Sequence, residues 1–158
     1  MRLLGIDYGT KRLGIAICGA LRIASPVDMI HRCTEKQDLI AIQRFIDKYG
    51  ADKLVVGLPV NMDNSLGDMA KQAQLFAHIL HKKLKLPVVL WDERLSSHQA
   101  DHIMHEAGLT KVQKKRSRDA IAASVMLQCY VDSNSDAFDE LDSETIIEHT
   151  IETIEDAK

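Results

Sequence analysis

Apolar residues fall into short runs and helical stripes, separated by Gly, Pro and polar clusters. Residues 2–6 and 13–18 are apolar runs punctuated by Gly5, Gly9 and Gly14, which predicts two strands joined by the tight turn Tyr8-Gly9-Thr10-Lys11. Residues 21–30 form a third, weaker strand pattern, and Pro26 places it toward a sheet edge. Connections this short make the opening meander antiparallel.

Helical and strand patterns then alternate. Thr34 and Gln37 have capping-box spacing, and Leu39, Ile42, Phe45, Ile46 and Tyr49 continue at helical intervals to a stop at Gly50. Lys53–Leu58 is a continuous apolar run ended by Pro59, as expected of a strand covered on both faces. Ser65 is placed to cap a second helix with the stripe Met69, Ala73, Phe76, Leu80 and Leu84. Residues 87–91 predict another buried strand, and 97–106 and 117–131 two more helices. The order βββαβαβαα predicts a three-layer α/β domain over residues 1–131, with a mixed five-stranded sheet covered by helices. Beyond it, Leu141, Ile147, Ile151 and Ile154 recur at helical spacing among glutamates, so 132–158 is expected to be an acidic tail with a short amphipathic helix.

Composition narrows the class. At 158 residues with 46% apolar and 27% charged side chains, the chain can build one ordinary core. Aromatics at 4% argue against a base-stacking nucleic-acid platform. The chain shows no membrane-length apolar run and no signal-peptide layout. Cys18, Cys33 and Cys129 are odd in number and far apart, which excludes a disulfide framework or thiolate zinc site and suits a reducing, cytoplasmic setting. The net charge of −3 conceals a segregation: residues 1–131 carry 19 bases against 13 acids, and 132–158 carry one against 10. A basic body with an acidic tail suits a protein that meets a polyanion.

Ligands of open α/β sheets gather at the carboxyl ends of strands. Asp7 ends the first predicted strand, Asp92 and Glu93 end the last, and Asp119 lies in the first turn of the helix predicted over 117–131. Side chains alternate along a strand, so Asp92 and Glu93 cannot both point the same way. Converging carboxylates would repel one another without a cation, and oxygen ligands suit Mg²⁺ or Mn²⁺. Taken singly, each acid is better explained by a cap or an ion pair, Asp119 with Arg116 or Arg118 and Asp92 or Glu93 with Arg94.

Four ordered motifs change that balance: G-I-D-Y-G-T-K-R-L-G-I-A-I (5–17), V-V-G-L-P-V-N-M-D-N-S (55–65), D-E-R-L-S-S (92–97) and R-D-A-I-A-A (118–123). Together they resemble the YqgF/RuvX family, whose members have an RNase H-like fold and are described as Holliday junction resolvases or as nucleases maturing the 5′ end of pre-16S rRNA. The resemblance implies that Asp7, Glu93 and Asp119 are the catalytic, metal-binding carboxylates, with Mg²⁺ or Mn²⁺ as cofactor. It also implies phosphodiester hydrolysis by a metal-activated water, with Asp7 bridging two ions. Placement of the three too far apart to share ions, or burial of any of them against an arginine, would overturn the hydrolase reading. Two departures stand out: Cys18-Gly19 replaces the usual Ser-Asp, and Asn64 stands where Gly is common.

Lys11, Arg12 and Arg94 neighbour these acids in sequence and are candidates to hold phosphate. The stretch 111–118, with Lys111, Lys114, Lys115, Arg116 and Arg118, is expected to be a loop that grips the nucleic-acid backbone. Asn61, Asn64 and Ser65 lie on a loop expected at the same sheet edge. The favoured partner is RNA, such as a pre-rRNA or the ribosome, with junction DNA as the alternative, no membrane, and a monomer preferred over a dimer. Two other readings compete: a non-catalytic nucleic-acid-binding module, and an ATPase, because Asp7-x-Gly9-Thr10 also resembles the phosphate loop of actin-like and sugar kinases. Those kinases need two such domains. His98, His102 and His105 have helical spacing that could share a metal but fit a polar helix face better.

Overall fold

A computed structural model of the chain describes residues 1–59, 63, 65–92 and 111–134, with side chains from 118 onward in the last segment. Strands β1 (Leu3–Tyr8), β2 (Arg12–Cys18) and β3 (Ala24–His31) form the antiparallel meander. Helix α1 (Glu35–Tyr49), strand β4 (Lys53–Leu58), helix α2 (Asp68–Leu84) and strand β5 (Val88–Asp92) follow, and helix α3 (Lys111–Ser133) closes the described chain. The sheet order is β3-β2-β1-β4-β5, with β4 parallel to both β1 and β5. Pro26 therefore lies on an edge strand, as its missing N–H requires.

Side-chain alternation sorts the core into two layers. Leu4, Ile6, Leu13, Ile15, Leu54, Val56 and Val88 pack against Ile42 and Ile46 of α1 and Phe76 and Leu80 of α2. Leu3, Ala16, Cys18, Val55 and Val89 face Ala123, Met126, Leu127 and Tyr130 of α3. The central strand β4 supplies both layers, which is why its sequence is a continuous apolar run rather than an alternation. The three-layer α/β arrangement with an antiparallel first half follows the expected order.

Local chemistry sets the boundaries. The Thr34 side chain accepts from the Gln37 amide at 3.2 Å, and Gly50 adopts the left-handed conformation that ends α1. Ser65 does not cap α2. Its amide and hydroxyl both donate to the Asp63 carboxylate, and the helix starts two residues later with Gly67 as its cap. Met69 is consequently exposed, and Ala70 takes its place in the buried stripe. The third strand begins at Ala24 rather than Leu21, leaving Leu21 and Ile23 at 86% and 65% exposure.

The largest correction concerns 111–118, which is helix and not loop. Lys, Gln and Arg are good helix formers, and neither Gly nor Pro interrupts the segment. Asp119 is thus the ninth residue of α3 and cannot cap the helix. The helix also runs two residues past the expected end of the domain at Val131. The helix expected over 97–106, with its histidines, and the tail from 135 lie outside the described residues.

Candidate active site

Asp7 sits next to last in β1, directly across from Gly14 of β2. Opposed residues of an antiparallel pair point to the same face. Gly14 identifies that face: a Cβ there would lie 1.9 Å from the Asp119 carbonyl oxygen. Gly5, two residues before Asp7, shares the face, and a Cβ there would meet the Leu127 side chain at 3.0 Å. The two glycines form a channel in which α3 lies against β1 and β2, and the backbone of Asp119 rests over the residue that pairs with Asp7. Two acids 112 positions apart in the chain therefore share one sheet edge and one face.

Arg12 opens β2 and has the same parity as Gly14. Its Nε lies 2.9 Å from Asp119 Oδ2, with the two side chains 39% and 21% exposed. That oxygen is shielded from solvent and has no donor in hydrogen-bond alignment among the described residues. Asp119 thus has an arginine partner that is distant in sequence, Arg12. The pair is half-open rather than sealed in the core. Lys11 is exposed in the β1–β2 turn.

At the far side of β4, Leu58 pairs with Asp92. Asp92 shares the parity of Val88 and Leu90, which face α1 and α2, whereas Trp91 faces α3 and packs edge-on against Tyr130 at 5.5 Å. Asp92 therefore belongs to the face away from Asp7. Glu93, Arg94, Asn61 and Asn64 lie outside the described residues. Ser65 is exposed, and its hydrogen bonds hold the Asp63 carboxyl below the usual carboxylate range. Among the described residues no group of three metal-ligating side chains converges; the described share of the expected trio is Asp7 and Asp119. Both offer hard oxygen donors, and the solvent-shielded Asp119 Oδ2 without an aligned donor is compatible with a divalent ion.

Sequence reasoning missed the support beneath Asp7. Arg32 donates from Nη1 to the Gly9 carbonyl at 3.1 Å and from Nε to Asp38 Oδ2 at 3.0 Å. Its guanidinium lies 5.0 Å from the Tyr8 ring centroid and 5.1 Å from that of Phe76. Burial opposes its charge, but bonding to Tyr8 and Asp38 outweighs that and raises its pKa further. This network clamps the turn that follows Asp7. Its signal was available: Asp38, Ile42 and Ile46 recur at i, i+4 and i+8, so an acid occupies the buried stripe of α1.

The Cys18-Gly19 departure has a simple geometry. Cys18 pairs with Leu3 at the opposite end of β1, so position 19 lies about 17 Å along the sheet from Gly14 and Asp7. An acid missing there is not missing from the carboxylate site.

Comparison with known proteins gives a consistent result. The family profile described as "RuvX: Holliday junction resolvase" matches residues 1–133. A protein of Halothermothrix orenii, named provisionally as a pre-16S rRNA nuclease, is 42% identical over 132 residues, covering 83% of this chain and 94% of its own. A Geobacillus kaustophilus protein with the same name is 42% identical over 136 residues, covering 84% and 99%. Among solved structures, Thermus thermophilus RuvC in complex with a Holliday junction substrate superposes with a TM-score of 0.53 at 16% identity, over 85% of this chain and 97% of that one. The fowlpox virus resolvase bound to Holliday junction DNA gives 0.54 at 14% identity, over 84% and 98%. At such identities these structures speak for the RNase H-like fold, and the profile and the relatives speak for the family: this chain belongs to the RuvX family.

Proposed function

We propose that this protein is a metal-dependent nuclease that cleaves a phosphodiester in structured RNA, as a step in 5′-end maturation of pre-16S rRNA. The observation that carries the reading is the placement of Asp7 and Asp119 on one face of one sheet edge, with the helix backbone seated on Gly14. The family and the names of its relatives supply the reaction class.

Asp7, Asp119 and Glu93 would hold Mg²⁺ or Mn²⁺. Of the adjacent acids 92 and 93, the reading keeps Glu93, because Asp92 has the parity of the opposite face. Such ions supply an activated water and neutralise charge on the leaving oxygen. The chain's own residues position those ligands: the Arg32 network fixes the turn after Asp7, and Gly5 and Gly14 set the depth of α3. Within α3, positions 111, 114, 115 and 118 recur at i, i+3, i+4 and i+7, the spacing of one helix face. The helix extends eight residues, about 12 Å, N-terminal to Asp119, and this basic stripe is the proposed grip on the phosphate backbone. Lys11 and Arg94 are proposed as further phosphate contacts, and Asn61, Asn64 and Ser65 as hydrogen-bonding groups of the neighbouring loop.

No helix among the described residues is long and apolar enough to cross a membrane. We assign the protein to the cytoplasm, acting as a monomer with an acidic regulatory tail beyond α3. Resolution of DNA junctions is the second reading, favoured by the description of the matching profile. A panel of labelled pre-16S leader RNA, single-stranded RNA and four-way DNA junctions, incubated with Mg²⁺, Mn²⁺ or EDTA, tests both. Metal-dependent cutting of the leader supports the proposal. Symmetric junction cutting by a dimer replaces it with the second reading, and binding without cleavage refutes both.

A further inference from the structure

Arg12 pairs with a carboxylate that the proposed reaction needs for metal. We infer that Arg12 is a displaceable counter-cation: it holds Asp119 in the metal-free protein and is released toward nucleic-acid phosphate when a divalent ion takes that carboxylate. The inference rests on the metal-binding reading of Asp7 and Asp119 given above.

A carboxylate shielded from solvent is stabilised by a nearby cation. In the described structure Arg12 supplies that charge to Asp119, at 2.9 Å from its Oδ2. The contact is built to be reversible. It engages Nε, the inner nitrogen, without an aligned hydrogen bond to the oxygen, and leaves 39% of the arginine side chain exposed. A bidentate, sealed arginine–carboxylate pair would be far harder to break. Arg12 also stands at the start of β2, where its neighbour Lys11 belongs to the open turn, so its stem can swing outward without disturbing the core. A divalent ion at the same oxygen repels the guanidinium, and a planar, permanently charged group at the site's rim is suited to a phosphate. Metal uptake and phosphate binding would thereby be ordered, metal first.

Mn²⁺ titration calorimetry on the full chain, without nucleic acid, tests the first half. Arg12→Gln should bind Mn²⁺ about fivefold tighter than wild type, the scale of a half-exposed ion pair, whereas Arg12→Lys, which keeps the charge, should stay within about twofold. RNA-duplex binding in EDTA, read by fluorescence anisotropy, tests the second half. Arg12→Gln should change affinity by less than about twofold in the wild-type background. In the Asp119→Asn background, where the guanidinium is free, it should weaken binding by about fivefold, a coupling that independent charges would not show. Unchanged or weaker Mn²⁺ binding by Arg12→Gln, with uptake still abolished by Asp7→Asn, overturns the inference and leaves the metal site standing. No Mn²⁺ uptake by the wild type, or uptake indifferent to Asp7→Asn, overturns the metal site and the inference together.

Discussion

Gly14 is the residue on which the site's geometry turns. With 1.9 Å between a would-be Cβ and the Asp119 carbonyl oxygen, Gly14→Ala must push α3 off the sheet. We expect a loss of about 2–3 kcal/mol in urea unfolding, the range of overpacked cores, with metal-dependent activity falling alongside; a cost under about 0.5 kcal/mol would mean that the helix does not seat there. The position of Asp7 was legible because it lies next to the end of a strand inside a family motif. The role of Gly14 was not, because a glycine beside a turn gives no sign of a helix arriving from 105 residues away. Cys18 yields a second test at this scale. Burial first, and the nearby Asp132 charge second, raise its thiol above the ordinary value of 9.0. Iodoacetamide at pH 8 should therefore label the exposed Cys33 well before Cys18, which reacts only on unfolding. Because the folded thiol holds its proton more tightly than the unfolded one, Cys18 should also erode stability as pH rises past about 9.

Among the elements, α3 carries most of what separates expectation from structure. Its C-terminal part is legible from apolar spacing, but its basic N-terminal part carries no apolar stripe and is helical through the propensity of Lys, Gln and Arg. A similar limit hid the start of α2, where Asp63 takes the Ser65 hydroxyl that would otherwise cap it. By contrast, Thr34, Gly50, Pro26 and the run Lys53–Leu58 act through local chemistry alone, and each does what its sequence context implies. The clamp between β3 and α1 gives the test for elements. Asp38, 3% exposed, holds Arg32 and also accepts from the Cys33 amide at 3.3 Å. Asp38→Ala leaves Arg32 without its carboxylate, so a loss of about 3 kcal/mol is expected, with cleavage impaired because the turn after Asp7 loosens. Stability within about 1 kcal/mol of wild type would deny the clamp its role.

For the whole molecule, charge segregation remains the strongest long-range feature: a basic body ahead of 27 residues bearing one base and 10 acids. Truncation should respect α3, whose last turn includes buried Val131 and is followed by Asn134, with its side chain donating to the Tyr130 carbonyl at 2.9 Å. Ending the chain after Asn134 should leave stability intact and tighten RNA binding several-fold at low salt, with the difference vanishing near 0.5 M as screening sets in. Equal affinity at all salt concentrations would separate the tail from nucleic-acid binding. The central claim, that paired carboxylates at this sheet edge work through a divalent ion to cut nucleic acid, is met most directly by single-turnover cleavage of pre-16S leader RNA by wild type and Asp7→Asn, with Mg²⁺ and with EDTA. The account predicts cutting only by the wild type with metal, and a drop of at least about 100-fold in the variant at unchanged thermal stability; cleavage that persists in EDTA, or in Asp7→Asn, would contradict it.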